Sequence, residues 1–383
     1  MESTPNATLL ASGLTALRSG DFVTARRHFE AMSPPSWLPL AQACNRMGDS
    51  EGEEAALKGQ LAADARNLPA LLAMAVLKER TQDHRAATSF YRTAIAQASV
   101  MEVPPALHPL LDRGQAFLME ANAAFESHLR NSLSAAGLAQ KSARIAQSID
   151  LLTGKTTLYQ QQPSMFYFPG LPQRQFYERA EFDWLAEVEA ATTDMQSELR
   201  DVLADGQDFR PYVETAPDRP APNNPLRDDP AWGAHYFWKN GTQVTENTAR
   251  APATMAALTA APLPHIGGRS PMALWSLLKP GTHIAPHYGM LNTRLICHIP
   301  LIVPPDCALR VGNETRSWEP GKALIFDDSI EHEAWNRSAD TRVILLFEIW
   351  RPEITEEERA ALVHLFEAID AYGPQDAESG GPL

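Results

Sequence analysis

The chain has 383 residues, of which 21% are charged and 44% are hydrophobic. Domains usually hold about 150 residues, so this length predicts two or three of them. The composition is typical of a globular protein with a buried core and excludes a wholly disordered or fibrous chain. A formal net charge of −14 argues against a broad nucleic-acid or anionic-membrane surface, although a local basic pocket for a small anion stays compatible with it.

The cysteines and the first residues of the chain indicate the cellular compartment of the protein. The three cysteines, Cys44, Cys297 and Cys307, form no CxxC motif, so neither a disulfide framework nor a zinc ribbon is indicated. Residues 1–5 lack a basic region, and no hydrophobic stretch of membrane-spanning length follows. We therefore expect no signal peptide, no integral membrane segment and a cytoplasmic location, with export by other routes left open.

Residues 7–98 show small apolar residues at helical spacing, interrupted by three similar polar turns. Each turn holds an aspartate, at Asp21, Asp49 and Asp83, which are 28 and 34 residues apart. Aspartate at such a turn accepts hydrogen bonds from the free N–H groups of the next helix. The helices also carry small residues that would let them approach closely: Gly13, Ala16, Ala25, Ala73 and Ala86.

This pattern resembles tetratricopeptide-type helix pairs, which repeat about every 34 residues. The large aromatic positions of that repeat are mostly absent, so a plain helical bundle stays open. Two longer helical stretches, 106–134 and 138–152, would close the array. We predict an α-helical domain over residues 1–154 that binds a partner or packs on the next domain, with no residue at catalytic spacing.

The second predicted domain covers residues 155–383. Its start is marked by an aromatic segment with a Pro-Gly turn, MFYFPGL at 165–171, and a helix is predicted over 182–203. Prolines then stand at positions 211, 217, 220, 222, 225 and 230. Prolines at this density cannot sustain helix or ladder hydrogen bonding, so we predict a loop that is either a substrate-side cover or disordered.

Beyond residue 272 the pattern changes to short β-like runs separated by Pro and Gly turns. Seven strands are predicted, at 273–279, 293–303, 308–312, 315–319, 322–327, 332–336 and 341–350. Strands of this length and spacing are typical of an all-β sandwich or a double-sheet jelly roll. Such a barrel has a mouth that can hold a metal and a small ligand.

Four histidines gather in this part: His283, His287, His298 and His332. We expect His287 near a strand start and His332 at the opening of the run HEAWN, so neighbouring strands could each contribute one metal ligand. Imidazole suits iron, zinc or copper, and two histidines with a carboxylate and open positions indicate a non-haem Fe(II) oxygenase.

The two stretches around these histidines carry long motifs, PGTHxxPHxG at 280–289 and LIFDDSxEHExW at 324–335. With their flanks, residues 276–304 and 312–355 resemble the aspartyl/asparaginyl β-hydroxylase family, and the likeness extends back to Trp232. That family consists of Fe(II)- and 2-oxoglutarate-dependent dioxygenases on a double-stranded β-helix. Animal members also carry a helical repeat region before the catalytic domain, which agrees with the first third of this chain.

The resemblance implies that His287 and His332 are the iron ligands. The usual carboxylate ligand of this enzyme class would stand at Gly289, and the family also lacks an acid there. Glu331 and Glu333 flank His332, but neighbours on a strand point to the opposite face. We predict a two-histidine site completed by 2-oxoglutarate and water. Two further acids could orient a ligand histidine through hydrogen bonds: Asp327 and Asp328.

The resemblance further implies that Arg342 binds the far carboxylate of 2-oxoglutarate, since a buried anion needs a cation. A guanidinium pairs a carboxylate through two parallel hydrogen bonds, so lysine would replace it poorly. Other cosubstrate-contacting positions of the family match Trp232, Ser276 and His298, although ordinary strand packing stays open for Trp232 and Ser276.

One position departs from the family. Animal members carry an arginine two residues before the position of His298, whereas this chain has Ile296. By strand alternation Arg294 shares the face of Ile296 and His298. We predict that Arg294 could supply the missing charge to the cosubstrate.

The implied reaction consumes O2 and 2-oxoglutarate, releases succinate and CO2, and hydroxylates an unactivated C–H bond. The family name indicates the β-carbon of an Asp or Asn residue in a peptide or protein, which the helical repeats would recruit. A lipid acyl chain or a small molecule stays open as the substrate. Two other classes also stay open: a different metal-dependent barrel enzyme, such as an isomerase or zinc hydrolase, and a non-catalytic scaffold.

Overall fold

The computed structural model describes residues 4–138, 143–206, 209–215, 220–221 and 223–372. The chain forms two compact units, residues 1–156 and 157–383. The boundary predicted after residue 154 lies beside this division. Among the described helices, none is both long enough and apolar enough to cross a membrane.

The first unit is helical, as predicted. Its described α-helices are α1 (Thr4–Ser19), α2 (Phe22–Glu30), α3 (Trp37–Met47), α4 (Ser50–Ala63), α5 (Leu68–Arg80), α6 (His84–Ala98), α7 (His108–Ala135) and α8 (Ala143–Leu152). A short 3-10 turn, Pro105–Leu107, precedes α7. The predicted stretches 106–134 and 138–152 correspond to α7 and α8, and residues 139–142 lie outside the described part.

The three turn aspartates cap helices as expected. Asp21, Asp49 and Asp83 are the N-cap residues of α2, α4 and α6, and each accepts a hydrogen bond of 2.9–3.1 Å from the backbone N–H three residues ahead. Close helix contact is visible at Gly13, where a Cβ would collide with the Phe29 ring. Paired helices are therefore present, while the tetratricopeptide resemblance stays a prediction.

The second unit opens with short elements and then forms two antiparallel sheets. Its strands are β1 (Phe176–Tyr177), β2 (Arg210–Pro211), β3 (Trp232–Lys239), β4 (Thr242–Gln243), β5 (Ala273–Leu278), β6 (His283–His287), β7 (Arg294–Ile302), β8 (Cys307–Val311), β9 (Glu314–Ser317), β10 (Leu324–Phe326), β11 (His332–Asn336) and β12 (Arg342–Trp350). Its helices are α9 (Leu185–Ala190), α10 (Thr192–Asp205), α11 (Thr245–Thr248), α12 (Pro252–Leu258) and α13 (Glu356–Tyr372), with a 3-10 turn at Arg179–Glu181.

The larger sheet has the order β1-β10-β7-β12-β5-β3-β2, with β4 beside β3, and the smaller sheet has the order β6-β11-β8-β9. Residues of both sheets share one core, for example Leu274 and Ile344 of the larger sheet with Ile284 and Leu309 of the smaller one. A second core lies on the other face of the larger sheet, against α9, α10 and α12. Two facing antiparallel sheets fit the predicted jelly roll.

All seven predicted strands are present, with ends shifted by up to two residues. Two longer strands, β3 and β6, and three two-residue strands, β1, β2 and β4, were not predicted. The helix predicted over 182–203 is two helices, α9 and α10, which meet at Ala191. Pro211 belongs to a two-residue strand at the sheet edge rather than to a loop, because an edge position leaves the missing N–H unneeded.

Candidate active site

A cavity of about 1160 Å³, its open mouth included, lies between the two sheets. Apolar side chains such as Ile284, Leu309 and Leu346 form much of its wall. The structure brings together all the residues that the sequence proposed for the site, and they line this cavity: Trp232, Ser276, His287, Arg294, His298, His332 and Arg342.

His287 and His332 lie directly opposite each other in the ladder between β6 and β11. Their ring centres are 4.1 Å apart, with 50° between the ring planes. The expectation that His287 lies near a strand start was wrong, since it is the last residue of β6. Pro286 lies within the strand, because β6 is an edge strand, where proline is tolerated.

Backbone carbonyls fix the tautomer of both rings. The Nδ1 atom of His287 lies 2.8 Å from the Ala285 oxygen, and that of His332 lies 3.1 Å from the Ile330 oxygen. A carbonyl only accepts, so each Nδ1 carries the proton and each Nε2 keeps its lone pair. Burial lowers the pKa of both histidines, so both are neutral at pH 7. Two Nε2 atoms are therefore available to one metal ion.

Arg342 begins β12 and is 1% exposed. Its Nε and Nη1 atoms have no hydrogen-bond partner among the described residues, and its guanidinium lies 4.9 Å above the Trp318 ring. Burial lowers the pKa of Arg342 to about 10, which still leaves it charged at pH 7. A buried cation without a counter-ion is costly, so this position favours an anionic ligand.

Further donors lie beside Arg342. Trp318 Nε1 donates to His298 Nδ1 over 3.3 Å, so the proton of that neutral ring sits on Nε2, which has no partner in the described structure. Burial, and next the charge of Arg342, hold the pKa of His298 well below its usual value. Trp232 Nε1 donates to Ser276 Oγ over 3.3 Å, which leaves the hydroxyl hydrogen free to donate. This end of the cavity suits a carboxylate.

Trp318 is a site residue that the sequence analysis missed, since its run was interpreted only as a strand. Tyr212 is another: it follows β2 at the start of the proline-rich loop, lines the cavity and stacks on Trp232, with ring centres 4.1 Å apart and 17° between planes. The role of that loop as a cover stays a prediction, and its residues 216–219 and 222 lie outside the described structure.

Arg294 lines the cavity but, unlike Arg342, has acidic partners. It forms a hydrogen-bonded ion pair with Glu348 and contacts Asp328 over 3.3 Å. All three side chains are largely buried. Two carboxylates thus already compensate the charge of Arg294. That Arg294 supplies to the cosubstrate the charge that is missing at Ile296 stays a prediction.

Gly289 lies where the usual carboxylate ligand would stand, and no side chain fits there. A Cβ at this position would overlap the carboxylate of Asp328, which comes from the loop before β11. Burial raises the pKa of Asp328 to about 6. Across the described residues, no group of three or more His, Cys, Asp or Glu is arranged to hold a metal. The histidine pair is therefore the donor set that the protein offers.

Glu331 and Glu333 lie outside the cavity wall, as strand alternation predicted. Arg310 pairs with both, and Glu333 also contacts the exposed His283 at 2.7 Å. Neither glutamate is thus available to the metal site. Both glutamates take part in a network of ion pairs on the smaller sheet.

A segment over residues 161–168, which we call the strap, joins the loop after β6 to the loop before β11. The Gln162 N–H donates to the Ser329 oxygen over 2.7 Å, in the loop before β11. The Ser164 N–H donates to the Gly289 oxygen over 3.0 Å, in the loop after β6. The strap therefore fixes the spacing of the strand ends on which the two histidines stand.

A buried polar cluster anchors the strap. Asp327 and Arg351, both fully buried, pair at 2.7 Å. Gln161 Nε2 donates to Asp327 over 2.6 Å, and Asn292 Nδ2 donates to Gln161 Oε1 over 3.0 Å. Asp327, proposed from sequence as a histidine-orienting acid, is engaged by these groups instead. The sequence did not predict this cluster, because Gln161, Asn292 and Arg351 lie far apart in the chain.

The family model for aspartyl/asparaginyl beta-hydroxylase matches residues 189–352, which include every site residue named from sequence. Residues 189–352, which match this family, are called the hydroxylase domain below. The strap lies before this domain and the helical unit lies further upstream.

Two groups of relatives resemble part of this chain. Aspartyl/asparaginyl beta-hydroxylase of Mus musculus and that of Homo sapiens are each 38% identical over 138 residues, which is 36% of this chain and 18% of each relative. The ornithine lipid ester-linked acyl 2-hydroxylase of Rhizobium tropici is 34% identical over 179 residues, which is 46% of this chain and 60% of that protein. The chain thus spans less than two thirds of the length of each.

Among solved structures, a Cupin 2 conserved barrel domain protein from Salinispora arenicola covers 40% of this chain and 98% of its own, with 14% identity and a TM-score of 0.22.

Proposed function

We propose that this chain is an Fe(II)- and 2-oxoglutarate-dependent dioxygenase that hydroxylates an unactivated C–H bond. One observation carries the proposal: two neutral histidines with free Nε2 atoms share a buried cavity with a guanidinium that has no acidic partner among the described residues. The hydroxylase family of residues 189–352 supports the same class of reaction.

The donor set fits a non-haem iron. Imidazole is a good ligand for Fe(II), and two histidines would leave further coordination positions open. When bound, iron with O2 and 2-oxoglutarate supplies the oxidising chemistry, and succinate and CO2 leave as co-products. His287 and His332 would hold the metal, and their backbone-bound Nδ1 atoms keep the rings oriented.

The donor-rich end of the cavity fits the cosubstrate. Arg342 would pair with the far carboxylate of 2-oxoglutarate, and the Ser276 hydroxyl and His298 Nε2–H would donate to the same anion. Trp318 and Trp232 hold these two donors in place through their indole N–H groups. The apolar walls around them exclude water from the bound anion.

For the substrate, we propose the β-carbon of an Asp or Asn residue in a peptide or protein, recruited by the helical unit. The Mus musculus and Homo sapiens relatives support a residue in a polypeptide, and the Rhizobium tropici relative supports the alternative of a lipid acyl chain. If deletion of residues 1–156 leaves turnover of the true substrate unchanged, the helical unit does not recruit it.

The decisive test is succinate release from 2-oxoglutarate by the full chain with and without added Fe(II). We expect release that depends on Fe(II) and that His332→Ala abolishes. His283→Ala is the matched control, since this exposed histidine of β6 lies outside the cavity wall. Iron-dependent succinate release at the wild-type rate by His332→Ala would contradict the ligand assignment.

The same assay separates the other classes. A zinc hydrolase or an isomerase on this barrel would turn over its substrate without forming succinate. A non-catalytic scaffold would bind 2-oxoglutarate, if at all, without consuming it. A search of candidate peptides and lipids for a 16-dalton mass gain coupled to succinate release would then identify the substrate.

A further inference from the structure

The cavity wall carries neutral polar side chains beside the residues of the proposed cosubstrate site. Among them are Asn240, Ser270 and Tyr288, and two methionines, Met272 and Met290, also line the wall.

The charges on the cavity wall are few and can be followed one by one. Arg269 forms a two-pronged ion pair with Asp370 of α13. Arg294 is held by Glu348 and Asp328. The remaining arginine, Arg342, has no acidic partner among the described residues. The described wall thus offers one uncompensated guanidinium.

That guanidinium is already used in the proposed function. Arg342 would pair with the far carboxylate of 2-oxoglutarate, and the near one would bind the metal. The cluster of Arg294, Glu348 and Asp328 on the cavity wall carries no net positive charge, whether Asp328 is ionised or protonated. A third carboxylate in the cavity would therefore lose its water without gaining a cation from the described wall.

We infer that the reacting group of the substrate is uncharged, and that among peptides the cavity accepts asparagine in preference to aspartate. This inference rests on the proposed function, because Arg342 is counted as occupied by the cosubstrate. A carboxamide both donates and accepts hydrogen bonds, which matches the neutral polar side chains of Asn240, Ser270 and Tyr288.

Two peptide libraries test this inference, with identical randomised flanks and a single central Asn or Asp. An equimolar mixture is passed over the immobilised full-length protein, held without O2 in the presence of Fe(II) and 2-oxoglutarate. Mass spectrometry of the retained peptides gives the Asn-to-Asp capture ratio without any turnover. We expect a ratio of at least about ten, since the transfer of an unpaired carboxylate is strongly unfavourable.

The variant Glu348→Gln provides the sharper comparison. It removes one negative charge beside Arg294, and its single amide oxygen can accept from Arg294 or from the Met272 N–H but not from both, so the stability of the variant is measured beside its capture ratio. We expect the capture ratio to fall by about tenfold, because one charge that repels aspartate is gone. Glu356→Gln, on an 87% exposed side chain of α13, is the control and should leave the ratio unchanged.

Thermal stabilisation by 2-oxoglutarate and Fe(II) is measured on the same samples. Loss of that stabilisation would remove the proposed function and this inference with it. Stabilisation with equal or preferential capture of the Asp library would overturn the inference alone. Stabilisation with capture of neither library would overturn it too, while leaving the dioxygenase proposal in place.

Discussion

His287 and His332 face each other across one rung of the β6–β11 ladder, with ring centres 4.1 Å apart. Metal–imidazole bonds are about 2.1 Å long, so two rings at this separation lie close enough for both to contact a single ion. The pair is built into the sheet rather than carried on flexible loops. A ligand set of this kind is preorganised by the same backbone hydrogen bonds that stabilise the fold.

The first prediction concerns metal affinity. His287→Gln and His332→Gln should each weaken Fe(II) binding by more than about 100-fold, beyond the 10–100-fold loss usual for groups that only orient a ligand. Anaerobic titration of the metal measures this directly. His283→Gln should bind Fe(II) as the wild type does. Equal affinity in all three variants would place the metal elsewhere.

The second prediction separates stability from binding at Arg342. Because this guanidinium is buried without a counter-ion in the described structure, Arg342→Met should leave the ligand-free protein equally stable or more stable, by up to about 4 kcal/mol. The same change should abolish stabilisation by 2-oxoglutarate, since the anion loses its cation.

Urea unfolding with and without 2-oxoglutarate measures both effects of Arg342→Met. Arg337→Met, at an exposed position, should change neither. A strongly destabilised ligand-free Arg342→Met protein would show that the guanidinium has a structural partner, and the cosubstrate role would lose its physical basis.

The strands and most of the site were predictable because their signals are local. Alternation and Pro-Gly turns located seven strands, and two long motifs located His287 and His332. β6 was missed because its five residues, HIAPH, include a proline and only one buried side chain, Ile284. β3 was missed because most of its residues are buried on both faces, so its sequence shows no alternation of polar and apolar residues.

What the sequence did not reveal depends on contacts between distant residues. Nothing local distinguishes Arg342, which lacks an acid, from Arg294, which has two. Likewise, the strap and the pairing of Asp327 with Arg351 join residues far apart in the chain. Which charged residues pair depends on the three-dimensional arrangement of the strands, so the pairs can be identified only in the folded structure.

The third prediction tests the space at Gly289. Gly289→Asp restores the carboxylate position of the common iron triad, but its side chain would meet the carboxylate of Asp328. Overlap in a packed interior, together with two like charges, should destabilise the protein by about 1–3 kcal/mol or more. We therefore expect weaker rather than tighter Fe(II) binding.

Gly289→Asp combined with Asp328→Gly is the matched test, because it moves the acid without adding volume. Stability should recover in the double variant. If the single variant is as stable as the wild type and binds iron more tightly, then Asp328 does not occupy that space in solution.

The fourth prediction concerns the anchor of the strap. Arg351→Met leaves the fully buried Asp327 without its cation, and breaking such a pair should cost about 3–5 kcal/mol. Arg359→Met removes an arginine whose partner Glu356 is 87% exposed, so its cost should be below about 1 kcal/mol. Urea unfolding of both variants distinguishes the two. Similar losses would mean that the Asp327–Arg351 pair does not anchor the strap.

The last prediction is the pH dependence of the metal-free protein. The pKa values of His287, His298 and His332 are lowered by burial, so below pH 6.5 the unfolded chain binds protons that the folded one refuses. Stability should therefore be full above about pH 6.5 and fall on acidification, by about 1.4 kcal/mol per pH unit for each such proton. The pKa of Asp328 is raised to about 6, so below that pH its protonation favours the folded state. This single group offsets only part of the loss of stability from the three histidines. Urea unfolding in the presence of a chelator gives the slope of the free energy of unfolding against pH. His298→Gln should reduce this slope by the contribution of one proton. An unchanged slope in that variant would mean that His298 is not held neutral by the fold.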